Sequence, residues 1–109
     1  MATRASIIFK EGGRPMAAIY KQYDGYPEGL GAKLKEIVAG GQMVNGCLPG
    51  DELGKRFNGA GCLFATVIQQ LKRTVGDVYI CHPDDVGHQG EDYIYEMNEK
   101  GGVGWAEIG

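Results

Sequence analysis

The residues with the most chemical potential in this chain gather in two glycine-bearing turns. These are Tyr20-Lys21-Gln22-Tyr23-Asp24-Gly25-Tyr26-Pro27-Glu28-Gly29 and Asn58-Gly59-Ala60-Gly61-Cys62. Each runs into a stretch of helical periodicity, so each opens a helix. The first N–H groups of a helix have no intrahelical partner, and the helix dipole adds partial positive charge there. Glycine removes the side chains that would keep an anion away from those amides. Tyr20, Tyr23 and Tyr26 offer rings on which a flat group can stack, and Lys21 and Arg14 offer positive charge. The expected site therefore joins both helix starts: Tyr20, Lys21, Tyr23, Asp24, Gly25 and Tyr26 with Asn58, Gly59, Gly61 and Cys62. Its expected ligand is phosphate-bearing or nucleotide-like.

The same residues also have structural readings. Glycine at a helix start serves close packing, a tyrosine hydroxyl can bond to backbone, and Asp24 can form an Asx-turn. Neither turn is a Walker sequence or a dinucleotide fingerprint. Cys62 stands where a helix dipole lowers a thiol's pKa, and a catalytic thiol would take His82 or His88 as its base. Its small and apolar neighbours favour a buried packing role over that one. Cys81-His82-Pro83-Asp84-Asp85, with His88, Glu91 and Asp92, contains metal-ligand types but no zinc spacing. It reads better as a solvated acidic loop. No nucleophile elbow or triad order is present, so no catalytic residue, metal or cofactor is assigned, and a binder is favoured over an enzyme.

Composition narrows the classes further. The 109 residues suit one domain with one modest core. Nineteen glycines are more than twice the usual ~7%, and they sit at turns rather than in a repeat. A net charge of -3 without a basic block argues against DNA or RNA as partner. Cys47, Cys62 and Cys81 form no disulfide framework and fit a reducing compartment. No apolar run reaches the ~20 residues of a membrane span, so a cytoplasmic protein is expected.

These residues need elements to hold them. Ala5 to Lys10 is a β-rich run, and Glu11-Gly12-Gly13-Arg14 is a hairpin turn leading into a strand over Met16 to Tyr23. In that strand Met16, Ala18 and Tyr20 share one face, and Ala17, Ile19 and Lys21 the other. Pro27 suits the first position of a helix carrying Leu30, Leu34, Ile37 and Val38, closed by Gly40-Gly41. Residues 40 to 57 are broken by glycines and hold either a short strand at Gln42 to Val44 or a cover over a site. A second helix follows with Ala60, Leu63, Phe64, Val67, Ile68 and Leu71 as its stripe. Strands are expected at Val78 to His82, Asp92 to Met97 and Val103 to Ile108. The order β-β-α-α-β-β-β predicts an α+β domain: a mostly antiparallel sheet of about five strands with both helices on one face.

Three blocks carry a family resemblance: Ile19 to Gly29, Phe57-Asn58-Gly59-Ala60-Gly61-Cys62-Leu63, and the strand pairs around Val78-Tyr79-Ile80 and Tyr93-Ile94-Tyr95. Together they resemble a family of small proteins of tailed phages and prophages for which no common catalytic residue is known. The chain departs from that pattern at Ala60, where a bulkier residue is expected, and at the Cys81-His82 step. The resemblance implies a phage product in the host cytoplasm, acting as an inhibitor of host defence. It would sequester a nucleotide signal or occlude a host protein. A homodimer formed through a sheet edge, or through a face of Tyr93, Tyr95 and Trp105, is the other arrangement expected of such a module.

Overall fold

The computed structural model describes residues 2–39, 42–44 and 56–108. Strand β1 (Ala5–Glu11) turns at Gly12 and Gly13 into β2 (Arg14–Lys21). Both glycines have positive φ, 60° and 78°, as a tight hairpin requires. A π-helical turn (Pro27–Gly31) with proline at its first position runs into α1 (Ala32–Val38). Short strands β3 (Gln42–Val44) and β4 (Arg56–Asn58) pair in parallel as a sheet of their own. Helix α2 (Gly59–Leu71) follows, then β5 (Val78–Cys81), a 3-10 turn (Pro83–Asp85), β6 (Tyr93–Asn98) and β7 (Val103–Glu107). Gly40-Gly41, most of the 40–57 segment and Cys47 lie outside the described residues.

The five-stranded sheet has the order β5-β2-β1-β6-β7. The domain is α+β as predicted, but its sheet is mixed, because β6 pairs with β1 in parallel. The reason is topological. Strand β5 runs antiparallel to β2 and therefore in the same sense as β1. The chain then returns over residues 82–92 before β6 starts beside Ala5, so β6 must run the same way again. A parallel neighbour needs such a crossover, whereas the hairpins at β1–β2 and β6–β7 keep the other pairs antiparallel.

Alternation sorts the strands into two faces. Ala5, Ile7 and Phe9 pair with Lys21, Ile19 and Ala17 on one side and with Tyr93, Tyr95 and Met97 on the other. This face meets the helices. Leu30, Leu34, Ile37, Leu63, Phe64, Val67 and Leu71 join it in one apolar cluster, and Phe64 stacks on Phe9 with ring centroids 4.8 Å apart. Tyr95 is fully buried. It belongs to the core, not to an exposed aromatic face with Tyr93 and Trp105. Its hydroxyl donates to the Gly25 carbonyl at 2.7 Å. Burial pushes that phenol up to about 12, so it remains a donor at ordinary pH.

Candidate functional site

The first turn is held by the backbone rather than left open. Asp24 adopts a positive φ of 58°. Its carbonyl accepts from the Leu30 N–H at 3.1 Å, and the Tyr26 carbonyl accepts from the Gly29 N–H at 2.9 Å. Two amides of the helix start are thereby satisfied within the turn. Gly25 is buried against β1: its N–H donates to the Thr3 carbonyl, and a Cβ on it would lie 2.7 Å from that of Ala5. Gly25 therefore serves close packing, and it presents no amide to a ligand.

Asp77 fixes what surrounds the turn. Its carboxylate accepts from the Lys21 ammonium at 2.7 Å and from the Tyr23 N–H at 3.0 Å, while its carbonyl accepts from the Gln22 N–H. Lys21 points to the helix face of the sheet and is mostly buried. Its neighbour Tyr20 points to the opposite face, where it donates to Gln22 and lies near Tyr79. Tyr23 and Tyr26 are exposed. Strand alternation therefore puts Tyr20 on the side away from Lys21, and of the three tyrosines Tyr26 alone lines the hollow beside the turn.

A hollow of about 350 Å³ does open beside this turn. Lys21, Asp24, Tyr26, Gly29, Leu30 and Lys33 form one wall, and Gln70, Leu71, Arg73 and Asp77 form the other. Of the expected site residues, Lys21, Asp24 and Tyr26 meet here. The second wall comes from the C-terminal end of α2, not from its start. Helix α2 has 13 residues, so at ~1.5 Å rise per residue its Gly59 end lies roughly 18 Å from its Leu71 end. Gly31 packs near Tyr95 at the start of the first helix, and Val38 lies near Gly101 of the β6–β7 turn at its end. The two helices thus run in opposite senses. Asn58, Gly59, Gly61 and Cys62 lie toward the other end of the molecule and are not among the residues that line this hollow. Both Gly59 and Gly61 face open space there. Arg14, at the far end of the eight-residue β2, is also remote from Lys21.

Three cations face the hollow, Lys21, Lys33 and Arg73, against the carboxylates of Asp24 and Asp77. Lys21 is engaged with Asp77, and Lys33 is 3.8 Å from Glu36. Arg73 has no ion-pair or hydrogen-bond partner among the described residues. Lys33, Gln70, Arg73 and Asp77 were outside the expected site. Lys33 follows Gly29 by four residues and so shares its helical face. Arg73 and Asp77 carry no sequence signal beyond helix termination.

The remaining reactive side chains are dispersed. Cys62 and Cys81 are free, half-buried thiols. Burial pushes the Cys81 thiol up, against a hydrogen bond from Gln89 that lowers it, so it is not activated. His82 accepts from the Asp84 N–H and caps the 3-10 turn. Among the described residues no three His, Cys, Asp or Glu side chains come together as a metal set, and no helix is long and apolar enough to cross a membrane. No family model, curated protein or solved structure matches the chain. The class is therefore defined by its own features: an α+β domain with a mixed five-stranded sheet and a cationic cleft between two helix ends.

Proposed function

We propose that the chain is a phage-encoded, non-enzymatic binding protein that holds a small phosphate-bearing or nucleotide-like ligand in the cleft of Lys21, Tyr26, Lys33 and Arg73. On this reading it works in the host cytoplasm and counters host defence by sequestering that ligand. The observation that carries the reading is the convergence of three cations on one hollow in a chain whose net charge is -3. Arg73 is the member without a partner among the described residues, and a guanidinium suits bidentate contact with phosphate. Tyr26 supplies an exposed ring at the rim for a base. Among the described residues that line the cleft there is no cysteine, serine, threonine or histidine, which favours binding over turnover.

A ligand that binds only the folded state raises the melting temperature. At about 100 times Kd the gain is roughly 2.7 kcal/mol, which is several degrees or more for a domain of this size. Thermal shift with inorganic phosphate, mononucleotides and dinucleotide second messengers is expected to show such a rise for at least one compound. Arg73→Ala should remove the rise while leaving the unliganded melting temperature within about a degree or two, because a solvated side chain contributes little to stability. A flat response across the panel, or a rise that Arg73→Ala leaves intact, refutes the site.

A further inference from the structure

The two edges of the sheet are finished differently. On β5 the pairs Gln22–Asp77, Tyr20–Tyr79 and Ala18–Cys81 exchange the ladder hydrogen bonds with β2, so Val78 and Ile80 direct their N–H and C=O groups outward. That edge is short, stops before Pro83, and is covered at Val78, whose carbonyl accepts from the Lys72 ammonium at 3.2 Å. Lysine over an edge strand and an early proline both discourage pairing with another chain.

Among the described residues the β7 edge has neither protection. Ile108 donates to the Asp92 carbonyl and Asn98 to the Gly102 carbonyl, which fixes Ile94–Ala106 and Glu96–Gly104 as the hydrogen-bonded pairs between them. Val103, Trp105 and Glu107 therefore send their N–H and C=O groups away from the sheet. This strand has five residues, no proline, no lysine and a single charge, Glu107. Trp105 is 48% exposed and meets the Tyr93 ring edge-on at 5.7 Å. Ile108, just beyond the strand, is 47% exposed.

We infer that the β7 edge is a homodimer interface, in which a second copy of this chain adds its own β7 antiparallel across a two-fold axis at Trp105. The outward groups make the strand self-complementary about that residue. Trp105 would lie opposite Trp105 of the second copy, and Val103 opposite its Glu107, so no like charges face one another. The result is one ten-stranded sheet, with the two Trp105–Tyr93 pairs meeting over its seam on the helix side. Cross-strand aromatic pairs of this kind strengthen a sheet, and isologous two-fold contacts are the commonest homo-oligomeric interface. Lys21 of the cleft lies on β2, which β1 and β6 separate from β7 in the sheet order, so this strand pairing does not involve it.

Sedimentation velocity on the full chain, from micromolar to millimolar concentration, tests the assignment. A concentration-dependent dimer is expected, with emission from the single tryptophan shifting to the blue as the dimer forms. Glu107→Pro removes an outward N–H at the end of an edge strand, where proline is tolerated. Trp105→Lys places two cations across the seam. Both are expected to sediment as monomers. Hydrogen exchange on the unmodified chain gives a second readout that needs no variant. The Val103, Trp105 and Glu107 amides should be protected at high concentration and exchange freely on dilution, while Gly104 and Ala106 stay protected throughout. A monomer at every concentration overturns the proposal. So does a dimer that leaves those three amides exchanging freely, or an edge that pairs only with added extended peptides.

Discussion

Replacing Gly25 by alanine is expected to lower the unfolding free energy by about 2 to 3 kcal/mol, the cost of forcing a methyl group into a packed core. The new Cβ would sit 2.7 Å from Ala5 Cβ, 3.0 Å from the Thr3 carbonyl oxygen and 3.1 Å from the Ala5 amide nitrogen. Two of these are backbone atoms and the third is fixed directly to the backbone of a buried strand, so no flexible side chain can yield. Relief would move Gly25 away from β1, weakening its N–H bond to Thr3 and the Tyr95 hydroxyl bond to its carbonyl. Chemical denaturation measures the loss directly, and thermal melting should show a fall of roughly 10 °C or more. Gly61→Ala is the matched control. Its Cβ meets open space within a helix, so a gain of about 0.5 to 1 kcal/mol is expected from helix propensity. Equal effects at the two glycines would contradict the distinct roles the fold gives them.

The second large effect concerns the crossover on the sheet's open face. Glu91 is 4% exposed and Ser6 fully buried. The Glu91 carboxylate accepts from the Ser6 hydroxyl at 2.6 Å, from the Gly87 N–H at 2.7 Å and from the Gln89 N–H at 2.6 Å. Residues 82–92 must cross from β5 to the start of β6, and this carboxylate ties that crossing to β1. Burial by itself pushes the Glu91 carboxyl up. The bonds from Ser6 and from the backbone amides of Gly87, Glu91 and Gln89 outweigh it and hold the group below its ordinary value of 4.5.

The sign of the pH effect follows. A carboxyl whose pKa is depressed by folding stabilises the protein above its unfolded value, and that contribution disappears as pH falls through the folded value. Stability should therefore drop on the acid side, below 4.5. Glu91→Gln turns one oxygen into an amide donor facing N–H or O–H donors. At neutral pH it is expected to cost about 2 kcal/mol. The gap between the two proteins should narrow as the pH is lowered, because the unmodified chain loses what the variant already lacks. Urea denaturation of both proteins across the acid range measures it. A gap that stays constant with pH would exclude the carboxylate as the titrating group.

Several elements were legible because their signals are local. Gly12-Gly13 between two apolar runs marked the hairpin, and both residues take the positive φ it needs. Pro27 marked a helix start, and the stripe Leu63, Phe64, Val67 and Leu71 marked the buried side of α2. Strand alternation separates Tyr20 from Lys21, so the two cannot share one site on a single face of the sheet. The parallel β1–β6 pair was illegible. It depends on where the 82–92 crossover lands, and that is decided by Ser6 and Glu91, 85 residues apart.

The sequence by itself determined the two helices and the five strands of the main sheet, which face of each helix is apolar, and which turns demand glycine, since those follow from spacing and backbone sterics along a few residues. Strand β3 was one of two alternatives, and β4 carried no such signal. Only the tertiary structure decided which helix ends meet. Antiparallel packing of α2 on the sheet carried Asn58, Gly59, Gly61 and Cys62 away from Tyr26 and brought Gln70, Arg73 and Asp77 in their place. A helix start advertises itself in local residue types, whereas its neighbour across a cleft depends on the direction in which two buried stripes cover one sheet.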